Sequence, residues 1–206
     1  MYCGGRLLER TIVTMHALVA SASPLVRRYT LDEFFALEPP PGGGHYELIA
    51  GVLYMVPPPT GPHHLVASRL VVVFAGYAAA HPDRCVLFVP RTPVWTAANT
   101  YLEPDLFLVT TERLTVTDAG RLTSADLVVE ILSPASAMYD RTAKADTYAA
   151  LGVEELWLAD LEKRTIEQRV RVEGTWRVAG THTGAAPFQS VRFPGLSVVP
   201  DDVFGG

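Results

Sequence analysis

Asp126-Leu127-Val128-Val129-Glu130-Ile131-Leu132-Ser133 reads as a strand that carries an acid where a hydrophobe belongs. Side chains alternate along a strand, so Leu127, Val129 and Ile131 share one face and Val128, Glu130 and Leu132 the other. Both faces are apolar except at Glu130, the pattern of a strand covered on both sides. An ionised carboxylate there is costly unless it is paired, coordinated or neutralised. A divalent cation could compensate it, and so could a buried lysine or arginine.

Pro104-Asp105-Leu106-Phe107-Leu108-Val109 repeats the anomaly upstream. Proline suits the first position of a strand, and an aspartate that opens a strand often does no more than cap a turn. Two carboxylates on two neighbouring core strands change that balance. Like charges brought together repel, and a shared cation offsets both. Oxygen donors favour magnesium, manganese or calcium over zinc.

Downstream, residues 137–151 read as a helix, with Gly152 placed to end it. Within it Asp140, Lys144 and Tyr148 stand four apart, along one helix face. Spacing alone describes an exposed ion pair, which would contribute about 0.3–0.5 kcal/mol. The helix follows directly on the Glu130 strand, however, and can return Lys144 towards it.

The remaining elements follow from local signals. Thr30-Leu31-Asp32-Glu33 has the form of a capping box ahead of Phe34, Phe35 and Leu37, which predicts a short opening helix. Pro39–Gly44 and Pro57–Pro62 read as loops, and residues 45–56 as a hairpin about Gly51. Val66, Leu70, Val73, Phe74 and Tyr77 recur at helical spacing from His63 to Ala80. Strands are expected at 84–95, 104–110, 125–133, 155–160, 164–172 and 175–180, and Phe193-Pro194-Gly195-Leu196 should return to the core. The fold class is α/β (α+β), with a mixed central sheet flanked by helices.

Composition sets the frame. The chain has 206 residues, 49% apolar and 19% charged, as a globular domain does. We assign residues 25–206 to one domain and residues 1–24 to a loose N-terminal extension, with Met15 an alternative start. A secretory leader is the weaker reading, because the apolar stretch Thr11–Ala20 holds two threonines and His16. No uncharged apolar run reaches the length of a membrane span, so no membrane partner is expected. Cys3 and Cys85 are far apart and form no metal or disulfide pattern, which fits a reducing compartment such as the cytoplasm. The formal net charge of -5 argues against a protein that coats nucleic acid. Any phosphate-binding surface must then be local.

Taken together, these pieces resemble the Uma2 family of endonuclease-like proteins, whose fold is the PD-(D/E)XK fold of restriction endonucleases. The matching segments are His45-Tyr46-Glu47-Leu48-Ile49-Ala50-Gly51, the proline-rich loop with His63, Pro104-Asp105, and Leu127 through Pro134. They continue with Asp140-Arg141 through Lys144 and Tyr148, then Gly152 through Asp160, and Phe193-Pro194-Gly195-Leu196. The resemblance spans roughly residues 28–204.

The resemblance implies a metal-dependent endonuclease acting on DNA, with magnesium as cofactor and manganese able to replace it. Asp105 matches the motif aspartate and Glu130 the (D/E) position, and these two would hold the metal. The motif lysine is expected two residues after that acid, where this chain has Leu132, so the pattern is broken there. Lys144 matches the position from which the family supplies the lysine instead. Glu47 matches the acid that precedes the motif. His63 matches the family histidine better than His64, while Asp140 and Tyr148 fall to accessory roles. A catalytically silent protein that binds nucleic acid or a protein partner is the alternative. Duplex cutting needs two sites, and the strands at 164–180 offer edges for pairing, so a homodimer is expected.

Overall fold

The computed structural model describes residues 26–96, 98–116 and 122–205. The extension assigned to residues 1–24 lies outside the described residues.

The capping box forms as read. Thr30 Oγ1 accepts from Glu33 N–H at 3.2 Å and Glu33 Oε2 accepts from Thr30 N–H at 2.9 Å, opening α1 (Leu31–Phe35). The hairpin follows as β1 (His45–Ile49) and β2 (Val52–Val56). Ala50 and Gly51 both take positive φ at its tip, the backbone that matches a two-residue turn to the strand twist. Next comes α2 (Gly61–Ala80).

The segment expected as one strand over 84–95 divides into two. β3 (Cys85–Phe88) joins one sheet and β4 (Val94–Thr96) another. Pro90 in the intervening turn has no amide hydrogen for a ladder. Then come β5 (Thr100–Leu102), β6 (Leu106–Thr110), α3 (Thr111–Val116) and β7 (Leu127–Leu132). The predicted 137–151 helix is itself divided into α4 (Ala137–Tyr139), a π-helical turn π1 (Asp140–Lys144) and α5 (Ala145–Ala150). Gly152 ends it with a φ of 84°. Val153 N–H donates to Tyr148 O at 3.0 Å and Gly152 N–H to Ala149 O at 3.1 Å, the two bonds of a Schellman cap. The chain closes with β8 (Glu155–Asp160), β9 (Thr165–Val172), β10 (Thr175–His182), β11 (Phe188–Gln189), β12 (Ser197–Val198) and α6 (Pro200–Phe204).

A six-stranded sheet in the order β10-β9-β8-β7-β6-β3 is the centre of the molecule. It is mixed: β7 and β8 are parallel and its other pairings are antiparallel. The parallel pair requires a crossover, which α4, π1 and α5 supply. The alternation read along 126–133 then divides two cores. Leu127, Val129 and Ile131 pack with Leu70 and Phe74 of α2 and with Trp157. Val128 and Leu132 pack with Ala145 and Tyr148 of α5 on the other face. A second sheet, β2-β1-β5-β4, carries the hairpin.

By length and composition α2 could cross a membrane, a feature the sequence reading missed. Here its inner face, from Val66 through Leu70 and Phe74 to Tyr77, is buried in the core. Phe74 is fully buried and meets Trp157 edge to face at 5.4 Å. Phe74→Ala is expected to lower the unfolding free energy by about 3–5 kcal/mol in urea denaturation. Val72→Ala, on the exposed side of the same helix, should stay within about 0.5 kcal/mol of the parent.

Candidate active site

Strand pairing puts the two anomalous acids together. Leu106 pairs with Val129 and Phe107 with Val128 in the antiparallel β6–β7 ladder. One step further along the same register, Asp105 stands across from Glu130, on the face opposite Leu106 and Val129. Asp105 Oδ2 accepts from Ile131 N–H at 2.7 Å, continuing the ladder through a side chain. Its Oδ1 lies 3.2 Å from His63 Nε2 at the start of α2. Both acids line one cavity, with His63, His64, His45, Glu103, Asp140 and Lys144.

Glu130 is compensated by a lysine from the crossover. Lys144 Nζ lies 2.8 Å from Glu130 Oε1, 3.3 Å from Glu47 Oε1 and 3.6 Å from Asp140 Oδ1. Tyr148 donates its hydroxyl to the same Glu130 oxygen at 2.5 Å. Asp140, Lys144 and Tyr148 are all buried, so the ladder four residues apart is an internal one and not a solvated surface pair. The π-turn holds Asp140 and Lys144 at its two ends, and such turns are frequent at functional sites. Leu132, at the broken lysine position, shares the Glu130 face but is packed into the core beneath α5.

Glu47 is fully buried on β1. Its Oε1 accepts from Glu103 N–H at 2.8 Å, while its Oε2 finds no hydrogen-bond partner among the described residues. Burial raises the affinity of Glu47 for a proton, but Lys144, His45 and the Glu103 amide outweigh it and hold the carboxyl below its ordinary range. Glu130 goes the other way. Burial, with Asp140, Asp105 and Glu47 adding negative charge, lifts its carboxyl well above the ordinary range despite Lys144. Lys144 itself is disfavoured as a cation by burial, yet Glu130 and Glu47 more than reverse this and it holds its proton tightly. Burial also raises the Asp140 carboxyl.

Three further groups belong to the site and escaped the sequence reading. His45 Nε2 lies 3.9 Å from Glu47 Oε1 and 3.9 Å from Glu103 Oε2. The signal for His45 was available, since it stands two residues before Glu47 in a strand and so shares its face. Glu103 belongs to the connection before Asp105, where no periodicity marks it. Tyr139 stacks on Tyr54 of β2 at 4.4 Å, tying the hairpin to the crossover, and Lys144 Nζ sits 5.8 Å from its ring centre.

The family described as "Uma2: Putative restriction endonuclease" matches residues 31–200 of this chain. The chain belongs to the Uma2 family. No curated protein matches it. Among solved structures it is similar to the crystal structure of a putative nuclease belonging to DUF820 from Anabaena variabilis ATCC 29413. The two are 21% identical over 85% of this chain and 97% of that chain, with a TM-score of 0.69, a likeness of fold.

The Uma2 site can be tested against a divalent cation by its donor chemistry. Three carboxylates (Glu47, Glu130 and Asp140) share one ammonium, and Asp105 adds its charge beside Glu130, so acids outnumber cations there. The orphaned Glu47 Oε2 is a further buried acceptor. Among the described residues no group of three or more His, Cys, Asp or Glu side chains is arranged to hold a metal ion. A cation here would draw on at most two carboxylates and would have to fill its shell with water or phosphate oxygens.

The Glu130 carboxyl gives a stability prediction with a definite sign. Its folded pKa is raised, so its contribution to stability is full below the ordinary glutamate value of 4.5 and is lost as pH climbs through the folded value. Without divalent cations, stability should therefore fall as pH rises from that point upward. Glu130→Gln should flatten the fall. Thermal melts across pH check both.

Proposed function

We propose that this cavity hydrolyses phosphodiester bonds of nucleic acid, in DNA first, with magnesium as cofactor and manganese able to replace it. The reading rests on family membership and on one observation above all. Glu130, across the ladder from Asp105, lies in a cavity open to substrate with a buried lysine against it. Asp105 and Glu130 would hold the cation. When bound, it would lower the pKa of a water and polarise the phosphoryl oxygen.

The side chains have separable tasks. His63 and the Ile131 amide fix the two oxygens of Asp105, so that this carboxylate meets its ligand already oriented. Tyr148 fixes Glu130 in the same way. Lys144 keeps its proton and aims a fixed positive charge at the cavity, where it orients the attacking water and offsets charge growing on the phosphorus centre. Glu47 stays anionic and, with Asp140, holds that ammonium in place. His63 is the accessory contact to phosphate. Two copies would cut two strands, and β10, an edge strand of the six-stranded sheet, is where we expect them to pair.

The test is cleavage of linear, circular and single-stranded DNA with magnesium or manganese. Wild-type protein should cut, and chelator should stop it. Asp105→Asn, Glu130→Gln and Lys144→Met should each lose at least about 100-fold in rate. Activity that survives all three would place the chemistry elsewhere. Stable binding without cutting in any metal would instead favour the silent, nucleic-acid-binding alternative.

Cation binding has a readout that needs no substrate. Magnesium at 100 times its dissociation constant should add about 2.7 kcal/mol to wild-type stability. The gain should vanish in Asp105→Asn and in Glu130→Gln, as melts with and without magnesium would report. Sedimentation should give twice the 22.4 kDa chain mass for a dimer.

A further inference from the structure

We infer that Arg91 is the residue that grips a phosphate of the substrate strand at the mouth of the cavity. This rests on the nuclease reading above and adds a substrate-positioning group to it. Among the described residues that line the cavity, the only lysine or arginine side chains are Lys144 and Arg91. Lys144 is 4% exposed and held among three carboxylates, so it serves the reacting centre inside the cavity and not a strand approaching its mouth. Arg91 is 69% exposed. In a chain of net charge -5, a nucleic acid entering this acidic cavity needs a local cation, and Arg91 is the one positioned to meet it.

The backbone points the same way. Thr92 N–H donates to Val89 O at 3.2 Å, closing a turn with Pro90 second and Arg91 third. Arg91 has a φ of 70°. Proline second and a left-handed residue third is the arrangement of a type II turn, where glycine or asparagine is favoured at the third position. An arginine there is strained. The other left-handed residues that are not glycine stand in hairpin turns or carry a side-chain hydrogen bond. Ala50 and Glu173 precede glycines in hairpin turns, Asn99 accepts from Leu31 N–H, and Arg164 donates to Gly205 O. Among the described residues Arg91 has one ion-pair partner, Glu103.

That contact is loose. Arg91 Nη1 lies 3.6 Å from Glu103 Oε2, beyond hydrogen-bond reach, and Glu103 Oε2 has no hydrogen-bond partner. Glu103 thus acts as a tether that keeps the guanidinium over the mouth without holding it firmly. A pair held at 3.6 Å with its arginine exposed to solvent is weak, while a guanidinium and a phosphate match in a forked, charge-assisted pair. Arriving phosphate should draw Arg91 away from Glu103. The strained turn sets the starting position of the side chain, and its length covers the rest.

The decisive variant is Arg91→Gly, because glycine suits this turn and the fold should gain from it. Tm should rise by about 2–4 °C. Binding is measured in a Glu130→Gln background with magnesium, where cutting is off, using a fluorescein-labelled duplex and its single strand. Arg91→Gly should weaken binding about 5–10-fold and reduce the slope of log Kd against log salt by about one. Arg91→Lys should restore most of that slope. Unchanged affinity and slope in Arg91→Gly would overturn the role of Arg91, while wild-type cleavage would leave the nuclease reading standing. Weaker binding with an unchanged slope would also overturn it, since the loss would not be a lost phosphate contact. No binding by the parent, together with no cleavage by wild type, would remove both.

Discussion

The ammonium group of Lys144 joins three elements of the fold. Glu47 comes from the hairpin strand β1, Glu130 from the central strand β7 and Asp140 from the crossover. Each acid would be costly to bury alone, and so would the lysine. Held together they fix where the second sheet sits against the first and where the crossover lies over both. Tyr139 on Tyr54 repeats the link with aromatic rings. Stability and chemistry therefore draw on the same few atoms. The surplus negative charge that would attract a cation also adds to burial in lifting the Glu130 carboxyl.

Much of this was legible in the sequence because it rests on period. Alternation along 126–133 marked a strand buried on both faces, and the two cores divide along that alternation. It also marked Glu130 as an acid in need of a partner. The four-residue spacing of Asp140, Lys144 and Tyr148 put those groups on one face. It could not say whether that face met water or protein, since that depends on where β7 delivers the chain. What escaped was set by contacts distant in sequence. The division of 84–95 between two sheets depends on a turn at Pro90, and β5 is too short to show a period. Glu103 matters because its amide donates to Glu47, a relation between β1 and the end of β5 that no local pattern encodes.

The acidic balance of the chain has a structural source as well. Buried acids elsewhere are fully partnered and belong to the scaffold. Asp126 meets Arg113 and Arg192 and accepts from Thr110 N–H. Glu155 accepts from Trp157, Gln168, Ser190 and two backbone amides. These oxygens have donors enough. The cavity acids differ in sharing one ammonium, and Glu47 keeps an oxygen without a partner. Among many carboxylates, incomplete satisfaction is what separates a site from a strut.

The wide turn at Asp140–Lys144 also makes this helix sensitive to residue count. A π-turn is an α-helix with one residue inserted. Deleting a residue there would restore an unbroken ladder of backbone bonds and a more regular helix. It would also rotate everything on one side of the cut by about 100° relative to the other. Either Tyr139 would leave Tyr54, or Tyr148 would leave Glu130. Loops of the same length drift freely between relatives; this stretch, helical though it is, has its length prescribed by what stands at each end.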